Sequence, residues 1–183
     1  MTQRRNYRKE KELSYISLQI VAGVPLFTDG RMLRKISNGL KWCCDRRGLR
    51  IYEYVILPDR IMLMGNTAWG TFDEVIDGFC VFSSKAVMLV LREGLAGLRG
   101  SWMIPVLTKY GSTDSPNGPL IWEADLNKRV LFQSHDIDAT ALAIRRAPVN
   151  RGIVESEEHY IHCSANPKNP LEGWQVAATD RGI

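Results

Sequence analysis

At 183 residues, with 45% hydrophobic and 24% charged residues, the chain has ordinary globular composition and enough length for a substantial core. Its net charge of +4 is compatible with a nucleic-acid partner without requiring one. No apolar run reaches the roughly 20 residues of a membrane span. The opening MTQRRNYRKEKEL has no apolar segment behind its charges, so no secretion signal is read and a cytoplasmic location is expected.

Residues 1–12 form a basic arm, read either as a solvated tail or as a DNA-contacting extension. LSYISLQIVAG (Leu13–Gly23) is rich in β-branched and aromatic residues and predicts the first strand. After VPLFTDG, Asp29 can cap a helix that runs to about Arg47 and stops at Gly48. Its apolar positions Leu33, Ile36, Leu40, Cys43 and Cys44 recur at helical spacing. LRIYEYVIL (Leu49–Leu57) is the second strand. Pro58 and Asp59 make a tight turn, and the third strand returns antiparallel from Arg60. Thr71 and Glu74 have capping-box spacing and open a helix to about Leu91, with Phe72, Val75, Ile76, Phe79, Phe82, Ala86, Val87 and Val90 on one broad face.

The stretch from about 94 to 119 reads as a long loop-like insertion, apolar in its middle at SWMIPVLTKY. A fourth strand is expected near Asn127–Phe132 and a last helix from about Asp138 to Arg146, ended by Pro148 and Gly152. Residues 166–183 form a loop-rich tail. The order strand, helix, strand, strand, helix, strand predicts an α+β, ferredoxin-like antiparallel sheet. Two helices lie on one face, with an extra C-terminal helix and the insertion added. The other face stays open unless something covers it.

Four segments, SYISLQIVAGVPLF, YEYVILPDRIMLMG, LIWEADLNKRVL and RRAPVNRGIVESEEHYIHCSA, occur in that order. Together they resemble the REP-associated tyrosine transposases, relatives of the insertion-sequence-200-like transposases, from about Tyr15 to Ala165. The most specific piece is P-V-x-x-G-I-V at Pro148–Val154. The resemblance implies the ferredoxin-like fold, a domain over 13–165, and a substrate of single-stranded DNA beside a hairpin. It also implies a divalent metal, Mg²⁺ or Mn²⁺, held by a His-hydrophobe-His strand, and a tyrosine nucleophile on the last helix.

At the matching positions the chain carries Arg60 and Met62 for the two histidines and Ala143 for the tyrosine. Arginine has no acceptor and the methionine thioether is soft, so neither suits a hard cation. No catalytic residue, metal or cofactor is therefore expected. If Arg60 keeps the old side-chain direction, its guanidinium can hold a phosphate. The competing reading is a local salt bridge with Asp59 or Glu123. Met62 and Met64 are expected beneath the insertion. Tyr110, in the insertion, is the one tyrosine considered for relocated chemistry, and Tyr160 is read as structural.

The DNA-binding candidates are Arg60, Lys128, Arg129, Arg145, Arg146 and, for base stacking, Trp102. A solvated charged surface is the competing reading for the basic groups. Trp42 and Trp122 are expected in the core. His159, His162 and Cys163 match no strong zinc spacing. Asp136 and Asp138 read as caps of the last helix. With no CxxC pair and Cys43 next to Cys44, the four cysteines, Cys80 and Cys163 included, read as thiols.

The expected function is that of a catalytically degenerate, transposase-like protein binding single-stranded or hairpin DNA. Two alternatives stay open: an active transposase with relocated residues, and a scaffold reused for protein or small-ligand binding. Monomer and homodimer are both compatible with the sequence.

Overall fold

The computed structural model describes residues 12–94, 99–112, 120–124 and 127–176. The 1–12 arm lies outside these residues but for Glu12, as do parts of the insertion and the end of the tail. The elements are β1 (Leu13–Gln19), α1 (Gly30–Arg47), β2 (Leu49–Leu57), β3 (Arg60–Thr67), α2 (Phe72–Arg92), α3 (Arg99–Tyr110), β4 (Asn127–Leu131) and α4 (Ser134–Asn150). The sheet order is β2-β3-β1-β4 with every neighbour antiparallel. That is the ferredoxin-like arrangement expected from the element order.

Local chemistry sets the boundaries. The Asp29 carboxylate accepts from the Arg31 N–H at 2.8 Å and starts α1. Gly48 ends it at φ 71°, and a Cβ there would stand 2.9 Å from the Trp69 ring. Both halves of the Thr71–Glu74 capping box form at the start of α2.

Alternation along the strands produces two cores. Ile16 and Leu18 of β1, Tyr54 and Ile56 of β2, and Ile61 and Leu63 of β3 pack with α1, α2 and α3. Tyr15, Val55, Leu57 and Met64 point the other way and are covered by Ile137, Ala141, Ile144 and Ala147 of α4. The face that the strand pattern alone leaves open is therefore roofed by α4.

The segment after α4 closes one edge. The Ile56 N–H donates to the His162 carbonyl at 2.9 Å, and the Ser164 N–H donates to the Tyr54 carbonyl at 2.9 Å. The Tyr160 hydroxyl adds a bond to the Ile56 carbonyl at 2.8 Å. This segment satisfies backbone groups that edge strand β2 would otherwise present.

Several expectations are corrected. The insertion is not all loop, because α3 occupies its middle and packs on α2 through Met103 and Leu107. Met62 and Met64 belong to the core beneath α4, not beneath the insertion. Trp42 is 55% exposed and Phe82 50%, although Trp122 is buried as expected. The first strand ends at Gln19. The last helix starts earlier and ends later than predicted, with Pro148 inside its last turn. Its N-cap is Gln133, so neither Asp136 nor Asp138 caps it.

Candidate nucleic-acid interface

The Pro58–Asp59 turn brings Arg60 to the first position of β3, opposite Leu57 of β2 and Gln19 of β1. Period-2 alternation then places Arg60 and Met62 on the face that α4 covers. Met62 stands opposite Ser17 and is half-buried against the α4 core.

Arg60 does not stand alone. Its guanidinium binds the Asp59 carboxylate at 3.1 Å, and Arg151, just past α4, binds the same carboxylate at 2.5 Å. Partial burial would raise the Asp59 carboxyl, but hydrogen bonds and charge from Arg151 and Arg60 together hold it below its ordinary 3.8. Asp59 thus holds two guanidinium groups, Arg60 and Arg151, at this end of the sheet. Beside it, Gln19 donates to Glu123 at 3.1 Å. The salt-bridge reading of Arg60 is thus realised through Asp59, while Glu123 pairs with Gln19 instead.

The other candidate residues separate. Arg129 lies on the α4 face, where its guanidinium stands 5.1 Å from the centre of the Tyr15 ring and donates to the Thr140 hydroxyl at 2.9 Å. Lys128, next in sequence, points to the opposite face and pairs with Asp73 of α2. Arg145 is committed to Glu53, and Arg146 is exposed among Glu155, Glu157 and Glu158. Trp102 is 47% exposed, but on α3, across the sheet from Arg60. Tyr110, on the same helix, is likewise across the sheet. Ala143 lies on the exposed side of α4, one turn beyond Thr140. Arg60, Arg129 and Arg151 therefore share the α4 face, and Lys128 and Trp102 do not.

A metal of the kind the resemblance implies does not fit these residues. Among the described residues, no group of three or more His, Cys, Asp or Glu is placed to hold an ion. His159 is exposed, while His162 is half-buried, held below its ordinary value by burial, and edge-on to Tyr160 at 6.1 Å. The cysteines are free thiols, and burial pushes Cys43 and Cys44 up to about 11 and about 12.

One pair was missed by sequence reasoning. Glu53 alternates with Val55 and Leu57 onto the α4 face, opposite Met64, and a bulge at Tyr52 puts Leu49 and Ile51 on the other face. There its carboxylate, 3% exposed, accepts both from Arg145, at 3.0 Å from Nε, and from the Ser164 hydroxyl at 2.6 Å. The pairing raises the Arg145 guanidinium above its ordinary value. Glu53 thereby ties both α4 and the segment after it to the sheet. The signal available was a carboxylate within the apolar run Ile51–Leu57.

No protein-family model and no curated protein sequence matches the chain. Among solved structures, it is similar to a REP-associated tyrosine transposase bound to a REP hairpin. The sequence identity is 15%, with a TM-score of 0.56 over 91% of this chain and 84% of that one. At that identity the likeness establishes a shared architecture: the chain has a transposase-like α+β fold.

Proposed function

We propose that this protein binds single-stranded or hairpin DNA through the α4 face and does not cut it. The observation that carries the reading is the position of Arg60 and Met62, side by side in β3 on the α4-covered face, in a fold shared with a hairpin-bound transposase. The resemblance sets the metal-binding histidines at those two positions and the tyrosine at Ala143. A guanidinium at Arg60 supplies a fixed positive charge for a phosphate. It cannot activate a nucleophile or stabilise a leaving oxygen as a metal does.

Arg60, Arg129 and Arg151 are the phosphate contacts of this reading. Arg146 lies farther along α4, and Arg145 acts as a brace because Glu53 already occupies its fork. Relocated chemistry at Tyr110 is disfavoured by its place across the sheet from Arg60. Binding of a labelled hairpin oligonucleotide, titrated at several salt concentrations, tests the proposal. Retention with a negative salt slope is expected. Absence of retention at low salt refutes it in favour of a reused scaffold.

A further inference from the structure

The seam between α1 and α2 contains a groove of about 400 Å³, on the sheet face opposite Arg60. Buried Gly39, Cys43, Val75 and Phe79 line it together with the exposed Gly78, Trp42 and Phe82. A Cβ on Gly39 would come within 3.0 Å of the Phe82 ring, whereas one on Gly78 would meet nothing within 4 Å. The helices thus approach closely at Gly39 and leave a space over Gly78. Trp42 and Phe82 are half-exposed, so each ring keeps surface free for a partner. Trp69, 56% exposed, covers Gly48 at the same end of α1.

The rim is basic. Arg47 lines the groove, and helical spacing puts Lys35 and Arg46 on the α1 stripe of Gly39 and Trp42, and Lys85 on the α2 stripe of Gly78 and Phe82. All four are exposed, and none makes an ion pair among the described residues. The nearby acids are partly committed: Glu74 to its own helix cap and Asp45 to the Trp174 indole N–H. Asp77, beside Gly78, is the remaining acid.

We infer that this groove binds an unpaired nucleobase of a single-stranded nucleic acid, with the ring against Trp42 and Phe82 and the flanking phosphates on Arg46 and Arg47. An apolar slot between aromatic rings fits a flat ring, and the basic rim fits the polyanion that carries it. A purely apolar peptide would use the rings and leave the rim unanswered. The inference extends the proposed DNA binding to a second face, so its failure must be separable from failure at Arg60.

The test is crosslinking of the full-length protein to an oligothymidylate carrying 5-iododeoxyuridine, with the modified peptide mapped by mass spectrometry. Affinities for the unmodified single strand and for a short-loop hairpin are measured in parallel. Adducts at Trp42, Phe82 or Trp69 are expected. Trp42→Ala and Phe82→Ala should each weaken single-strand binding about fivefold or more. Trp42→Phe should retain most of it, which guards against a folding artefact. Hairpin binding should instead respond to Arg60→Ala. Adducts confined to the α4 face, with Trp42→Ala neutral, would overturn the groove and leave the hairpin reading standing. Loss of all DNA binding in the wild type would overturn both. A dimer abolished by Trp42→Ala, without single-strand affinity, would reassign the groove to a second copy of the chain and overturn the inference.

Discussion

Replacing Arg145 with alanine removes a two-pronged guanidinium from Glu53, a carboxylate 3% exposed on the inner face of the sheet. Breaking a buried ion pair from one side costs about 3–5 kcal/mol, because the charge left behind stays desolvated. The Arg145 side chain is itself 37% exposed and Ser164 still donates to Glu53, so the low end applies, about 3 kcal/mol. For a chain of this length that corresponds to a melting temperature lower by about 6–12 °C. Urea denaturation followed by circular dichroism provides the free energy directly. Arg146→Ala, one residue on and exposed, should change stability by no more than about 0.5 kcal/mol. The double variant Glu53→Gln, Arg145→Met should recover part of the loss, since it leaves no buried charge. A loss under about 1 kcal/mol for Arg145→Ala would put the pair among ordinary surface salt bridges and refute its role as the brace of α4.

Arg60→Ala should weaken hairpin binding about tenfold and lower the salt slope by about one phosphate contact, while Arg34→Ala on α1 should change neither appreciably. Asp59→Asn removes the carboxylate that holds Arg60 and Arg151, and should tighten hairpin binding while lowering thermal stability at neutral pH. Because the folded Asp59 carboxyl lies below its ordinary 3.8, its stabilisation is full above that pH and is lost as pH falls through the lowered value. Melting temperatures across pH 5 to pH 2 should therefore fall more steeply for the wild type than for Asp59→Asn. Gly48→Ala must take φ 71° and meet the Trp69 ring, and should cost about 1–2 kcal/mol by chemical denaturation.

Much of the frame was legible because its punctuation is chemical. Asp29, Gly48, the Pro58–Asp59 turn and the Thr71–Glu74 box each fix a boundary through a local hydrogen bond or a backbone angle. α3 was missed because glycines precede it and Pro105 sits inside it, and its stability comes from burying Met103 and Leu107 on α2. Trp42 and Phe82 were assigned to the core on hydrophobicity. Each lies at the edge of its helix's apolar stripe, beside a groove that periodicity alone does not reveal. The substitutions at Arg60, Met62 and Ala143 were visible only beside the resemblance. The sharing of Asp59 by Arg60 and Arg151 was not, because the two arginines are brought together by α4 folding over the sheet. Glu53 escaped notice for a similar reason: its partners Arg145 and Ser164 reach it only when α4 and the segment after it fold over the sheet.

The most direct test of the central claim uses one end-labelled hairpin oligonucleotide, incubated with the full-length protein and Mn²⁺ and divided between a native and a denaturing gel. Binding without chemistry predicts a retarded band on the native gel. On the denaturing gel the oligonucleotide should keep its full length, with no protein-linked species. A covalent adduct or a shortened strand on the denaturing gel would contradict the account.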